Sequence, residues 1–124
     1  MKTVIRESQA FLGKARKALG NGNKKERRCA IYVRSACWDG TAWRGQVELG
    51  LSFCYANGFV PLLFGEIGVP GAVFQEVKNM AKKQAFECVF ISNVDRFGRD
   101  ISNAFKTLDQ FRRWGVRVCA PQAI

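Results

Sequence analysis

The sequence predicts an α/β fold: a doubly wound, mainly parallel four-stranded sheet with helices on both faces, preceded by a basic N-terminal helix. Three observations predict it. Four short apolar runs, at residues 29–33, 59–64, 88–91 and 116–120, do not alternate apolar with polar side chains, the pattern of strands covered on both faces. Segments with helical apolar spacing separate them, so the order reads β-α-β-α-β-α-β, and strands joined by helical crossovers run parallel with right-handed connections. Pro61 lies inside the second run, and proline is tolerated mainly on an edge strand, which gives the strand order 2-1-3-4.

Each element has its own signal. Val4, Ile5, Phe11, Leu12, Ala15 and Leu19 recur near helical spacing over residues 3–19, with Lys14, Arg16 and Lys17 opposite and Gly20-Asn21-Gly22 as a stop. Residues 21–28 are rich in Gly, Asn and charge and read as a linker, so the division is 1–28, a basic helix and linker, and 29–124, the domain proper. After the first strand, a helix over residues 41–57 aligns Trp43, Val47, Leu51 and Cys54 and stops at Asn57-Gly58; Gly45 and Gly50 weaken it. A second helix over 72–84 buries Val73, Val77, Met80 and Ala81. The third starts at an N-cap Asp100 and buries Ile101, Ala104, Phe105, Leu108 and Phe111 before Gly115. Trp38, Trp43 and Trp114, if exposed, would mark a protein interface, but core or boundary packing is the commoner fate of tryptophan, and they are assigned no role.

Composition bounds the function. A chain of 124 residues fits one domain that folds without staples. Lys and Arg outnumber Asp and Glu by 20 to 10, but nine of the basic residues precede position 29, against Glu7 and Glu26. The remainder is nearly balanced, so electrostatic steering is expected from the N-terminus. Five cysteines (Cys29, Cys37, Cys54, Cys88, Cys119), widely spaced and without a Cys-x-x-Cys pair, argue against a disulfide framework or a zinc site and for a reducing cytosol. There is no histidine, no glycine-rich phosphate loop and no apolar stretch long enough for a signal peptide or membrane span. The expectation is a soluble cytoplasmic protein with no cofactor and no metal.

In an open sheet of this order the winding reverses between strands 1 and 3, and the functional crevice lies beyond the carboxyl ends of those strands. Those ends carry Arg34-Ser35-Ala36 and Asn93-Val94-Asp95-Arg96, with Arg99 close behind. Three guanidiniums in one cleft point to phosphate, because the planar guanidinium is permanently charged and presents forked donors. A structural ion pair of Asp95 with Arg96, with Asp100 only a helix cap, is the alternative.

Ile31-Tyr32-Val33-Arg34 followed about sixty residues later by Asp95-Arg96-Phe97-Gly98-Arg99-Asp100 resembles the catalytic domain of the serine recombinases, the resolvase and invertase family. Gln46 and Leu49, then Tyr55-Ala56-Asn57-Gly58, fit the same pattern, and the resemblance spans residues 29–120. It implies DNA recombination without a metal: a serine hydroxyl attacks the phosphodiester and forms a phosphoserine link while arginines hold the phosphate. By resemblance Arg34, Arg96 and Arg99 fill those arginine roles, Asp95 orients a guanidinium and Gln46 helps arrange the site. It also implies DNA as partner, self-association or pairing with a full-length recombinase, and a prokaryotic cell, phage or mobile element as setting.

Three departures set this chain apart. The family's nucleophile stands two residues after the strand-1 arginine, where Tyr32-Val33-Arg34-Ser35-Ala36 has alanine. Ser35 is one position away and, on an extended backbone, points to the opposite face from Arg34; Cys37 is a second, chemically poor substitute. After strand 2 the family has an acid, a flexible loop and a phosphate-contacting arginine; here Glu66 stands for the acid, the loop is short and no arginine lies between Arg44 and Arg96. Each such electrostatic donor is worth ~10² to 10³ in rate, so cleavage is expected to be impaired. Third, the chain ends at Ile124 where the family continues into a long helix and a DNA-reading domain, and in their place Lys24, Lys25, Arg27 and Arg28 form a basic cluster able to track phosphates. Three readings stay open: a degenerate recombinase domain that binds DNA or modulates a recombinase, an active minimal enzyme using Ser35, and a protein-interaction module.

Overall fold

The structure, a computed structural model, describes residues 26–93, 96 and 101–121; the expected helix at 3–19 and Lys24, Lys25, Asp95, Phe97, Gly98, Arg99 and Asp100 lie outside them. Strand β1 (Arg28–Ser35) leads through a short loop into α1 (Gly40–Asn57), followed by β2 (Val60–Ile67), α2 (Ala72–Lys82), β3 (Cys88–Phe90), α3 (Ile101–Arg113) and β4 (Arg117–Cys119). The four strands form one parallel sheet in the order β2-β1-β3-β4, the expected topology. Pro61 sits on the edge strand β2, where its missing N–H costs no ladder bond to a further neighbour.

Strand parity divides the core in two. Cys29, Ile31 and Val33 point to one face and pack with Cys54, Phe59, Leu63, Cys88 and Phe90 beneath α1. Ala30 and Tyr32 point to the other and pack with Val73, Phe74, Val77 and Ala81 of α2 and Ala104, Leu108 and Phe111 of α3. One helix on one face and two on the other is the doubly wound arrangement. It leaves β1 at the centre, flanked by β2 along its whole length and by β3 only as far as Ile31 opposite Phe90. Beyond that point β3 has ended, while β1 runs on to Ser35 beside β2.

Four expectations need correction. The stripe of α1 facing the sheet is centred on Gln46, Gly50 and Cys54, while Trp43, Val47 and Leu51 are half-buried at its flanks. Gly50 is therefore not a weak point: a Cβ there would lie 2.5 Å from Cγ2 of Ile31, so its lack of a side chain lets helix and strand approach. On α3 the stripe turns toward Thr107, whose hydroxyl donates to the Asn103 carbonyl at 3.1 Å, and Phe105 is left 53% exposed instead of buried. β4 is an edge strand with Arg117 exposed and Val118 and Cys119 half-buried, so it is not covered on both faces.

Helix ends follow local chemistry. Asp39 caps α1 by accepting from the backbone N–H of Thr41 and Ala42 at 3.0 and 3.2 Å. Gly58 closes it in the left-handed conformation at φ +73°.

Candidate functional site

The carboxyl edge of the sheet is built around Arg34. As an even-numbered position of β1 its side chain leaves on the α2/α3 face. Its Nε donates to the Arg96 carbonyl at 3.1 Å and its Nη1 to the Gly68 carbonyl at 2.6 Å. One guanidinium thus ties the loop after β2 to the loop after β3. Gly68 can turn its carbonyl inward because it sits at φ +98°, and its own N–H donates to the Ser35 carbonyl at 2.8 Å. Arg96 is fixed from its own side: its backbone N–H donates to the Asn93 carbonyl at 3.1 Å, and its Nε lies 3.4 Å from the Ser92 hydroxyl. The structure thus brings the Arg34 side chain to the Arg96 backbone, with the Arg96 Nε at the Ser92 hydroxyl.

Gln46 holds the backbone at the same place. Its Oε1 accepts from the Arg34 N–H at 3.1 Å and its Nε2 donates to the Arg34 carbonyl at 2.9 Å, so the amide pairs with Arg34 as a neighbouring strand would. The Ser35 hydroxyl lies 3.5 Å from the same Nε2, on the α1 face and 7% exposed. It points away from the side on which the Arg34 guanidinium lies. Ala36 and Cys37 follow in the exposed loop.

Glu66 is the residue whose role the sequence left thinnest. It is 2% exposed, and its carboxylate accepts from the Tyr32 hydroxyl and from the backbone N–H of Gly71, Val73 and Phe74, the last three at 3.0, 3.3 and 3.0 Å. It therefore caps α2 from the preceding strand, where its charge meets the positive end of the helix. Burial, then the bond to Glu66, pushes the Tyr32 phenol far above its ordinary range. Tyr32 is in the recombinase-like motif, yet its partner was missed; the signal was the two-residue parity that places Tyr32 and Arg34 on one face of β1. Gly68 and Ser92 were missed because they act through a backbone carbonyl and a single hydroxyl.

The other basic residues lie elsewhere. Arg27 and Arg28 sit at the amino end of β1, roughly 20 Å from Arg34 at the ordinary strand rise. Arg27 pairs with Glu87 at 2.9 Å and covers the Phe59 ring, and Arg28 pairs with Glu26 at 3.1 Å. They lie at the end of the strand away from Arg34. Four cysteines gather under α1, with Cys88 and Cys119 sulfurs 3.3 Å apart, and hydrogen bonds to Cys54 and Cys88 together with burial hold the Cys29 thiol well above its ordinary value. They are core residues, and all five are free thiols.

Comparison with known proteins matches this architecture. The C-terminal catalytic domain of ISC1926 TnpA, an IS607-like serine recombinase, superposes with a TM-score of 0.67 at 16% identity, over 78% of this chain and 71% of that one. The N-terminal catalytic domain of TP901-1 integrase gives 0.67 at 18% identity, over 76% and 77%. A resolvase family site-specific recombinase from Streptococcus pneumoniae gives 0.65 at 17%, over 77% and 72%. No family model and no curated protein matches the sequence. The fold is that of a serine recombinase catalytic domain, as the sequence motifs implied. Among the described residues no helix is long and apolar enough to cross a membrane.

Proposed function

We propose that this chain is a recombinase-fold domain that holds DNA phosphate at the carboxyl edge of its sheet and has lost most of the cleavage chemistry. The observation that carries the reading is the bond from Arg34 to the Arg96 backbone at 3.1 Å, in a fold shared with serine recombinases, while alanine occupies position 36. Arg34, Arg96 and Arg99 hold the phosphate, Asp95 orients a guanidinium, and Gln46 fixes the backbone that presents Arg34. Arg34 keeps two donors on carbonyls of the flanking loops, so binding builds on a guanidinium already aligned. The active-enzyme alternative, with Ser35 as nucleophile, is disfavoured by its hydroxyl lying beside Gln46 on the α1 face.

In this reading the basic segment of residues 1–28, whose last residue opens β1, adds phosphate contacts through Lys24, Lys25, Arg27 and Arg28 at the end of the strand away from Arg34, and residues 29–124 form the domain. The partners are DNA and a second recombinase-type subunit, an identical chain or an intact enzyme whose activity the domain modulates. The test is to incubate the chain with duplex and nicked DNA, denature, and look for protein covalently joined to DNA, with salt-dependent binding measured on the same samples. Binding weakened by Arg34→Ala, with no adduct, is expected. An adduct that disappears in Ser35→Ala would overturn the loss of cleavage; an affinity unchanged in Arg34→Ala would overturn the phosphate cleft.

A further inference from the structure

A cavity of about 430 Å³ lies at the end of the sheet away from Arg34, between the last turns of α3 and the amino ends of β3 and β4. Leu108 and Val116, both buried, and the half-buried Val118 give it an apolar lining, and Arg112 and Arg117, both exposed, line it as well. The turn between the two arginines is fixed by its own bonds. Gly115 takes the left-handed conformation at φ +80°, its N–H donates to the Arg112 carbonyl at 3.0 Å, and the Val116 N–H donates to the Phe111 carbonyl at 2.9 Å. These bonds satisfy carbonyls of the last turn of α3 and set where Arg112 and Arg117 leave the backbone. The hollow is thus formed before any ligand arrives.

Its charge is unbalanced. Glu87 is the only acid of the lining, and its carboxylate already accepts from Arg27 at 2.9 Å. Asp109, on the same helix as Arg112, is taken by Arg113 at 2.9 Å. Among the described residues neither the Arg112 nor the Arg117 guanidinium has a carboxylate partner. Two permanently charged, forked donors beside an apolar hollow match a ligand that joins carboxylates to an apolar group. An acidic peptide segment offers that pairing: an apolar side chain fills the hollow while its acidic neighbours meet the arginines. Duplex DNA does not, because its phosphate ridge carries no apolar group to enter, and Leu108, Val116 and Val118 would stay uncovered.

We propose that this cavity is a docking site for an acidic segment of a protein partner, which seats one apolar side chain against Leu108, Val116 and Val118 and places carboxylates on Arg112 and Arg117. The site is separate from Arg34 and Arg96 and stands whether or not those residues hold DNA phosphate. Arginine clusters are a general means of reading acidic motifs, and an apolar anchor in a formed pocket carries much of the affinity of such contacts.

The test is fluorescence anisotropy of a labelled peptide, one leucine with four glutamates on each side, titrated with the full chain as parent, Arg112→Ala, Arg117→Ala and the double variant. A second peptide has serine in place of the leucine, and a third has glutamines in place of the glutamates. The leucine–glutamate peptide should bind the parent most tightly. Serine should cost about 10- to 150-fold, the burial of one leucine side chain. Each arginine variant should weaken binding by about 5-fold and the double variant by about 25-fold, the upper range of exposed ion pairs, and the glutamine peptide should bind the parent as weakly as the first peptide binds the double variant. Because both arginines are exposed, circular dichroism of the variants should match the parent. Failure of the first peptide to bind, an affinity that does not fall in the double variant, or equal binding of the serine and leucine peptides would each overturn the docking site. Duplex binding lost in the double variant, with no preference for the leucine peptide, would overturn it in favour of a second DNA surface. A dimer of the parent that separates in the double variant, with no peptide binding, would overturn it in favour of a contact between copies.

Discussion

Gly50→Ala tests how α1 is seated on the sheet, and the sign of its effect is decided by two opposed quantities. In an exposed helix interior the change stabilises by ~1 kcal/mol, because glycine is a poor helix former. Here the new Cβ would stand 2.5 Å from Cγ2 of Ile31 and 3.0 Å from its Cδ1 and Cγ1. Ile31 is wholly buried in the central strand and, being β-branched, has little rotamer freedom to withdraw. Overpacking of this kind costs ~1–3 kcal/mol, and the severity of the overlap puts it in the upper part of that range. The net expectation is a loss of about 1–2 kcal/mol. Gly45→Ala, one turn earlier on the same helix with nothing within 4 Å, should instead gain up to ~1 kcal/mol. Urea unfolding with an unchanged slope would read both, as a midpoint lowered by about 0.5–1 M for Gly50→Ala and raised for Gly45→Ala. Two shifts of the same sign would refute the close approach of helix and strand that positions Gln46 beneath Arg34.

Three further outcomes follow from the bonds around that edge. Glu66→Gln should cost about 2–3 kcal/mol in urea, since three backbone donors and the Tyr32 hydroxyl lose an ionised acceptor and an amide nitrogen meets at least one buried N–H. The Tyr32 phenol has its pKa raised on folding, so its contribution is complete below the unfolded tyrosine value near ~10 and is lost as pH rises above it; stability of the parent should fall by up to ~1.4 kcal/mol per pH unit there, and Tyr32→Phe should remove that part of the slope. Gln46→Ala leaves the Arg34 N–H and carbonyl without their side-chain partner, for about 1–3 kcal/mol of stability and a measurable loss of DNA affinity in a gel-shift assay.

Most of the architecture was legible because it rests on properties a sequence carries directly. Apolar runs without alternation gave the strands, Pro61 fixed the edge, and the order 2-1-3-4 placed the switch point beside Arg34. What was not legible depends on distances between elements. The value of Gly50 appears only once Ile31 lies under it, and the exposure of Phe105 follows from a helix rotation that a buried, self-satisfied Thr107 permits. Within the site, the side chains at strand ends were readable by position, whereas the Gly68 and Arg96 carbonyls that hold Arg34 are backbone groups with no signature of residue type. The Glu66 cap joins the end of one strand to a helix five residues later, a contact set by the turn between them.

The central claim is that Arg34 and Arg96 form a working phosphate site in a fold without the family's nucleophile. Its most direct test is DNA binding by the parent, Arg34→Ala and Arg96→Ala across a salt series. Neutralising a phosphate releases counterions, so the logarithm of affinity should fall steeply with the logarithm of salt, and each variant should both weaken binding and flatten that slope by about one unit on duplex or slightly less on a single strand. Parent and variants with the same affinity and slope would contradict the account and leave the arginines as struts between loops.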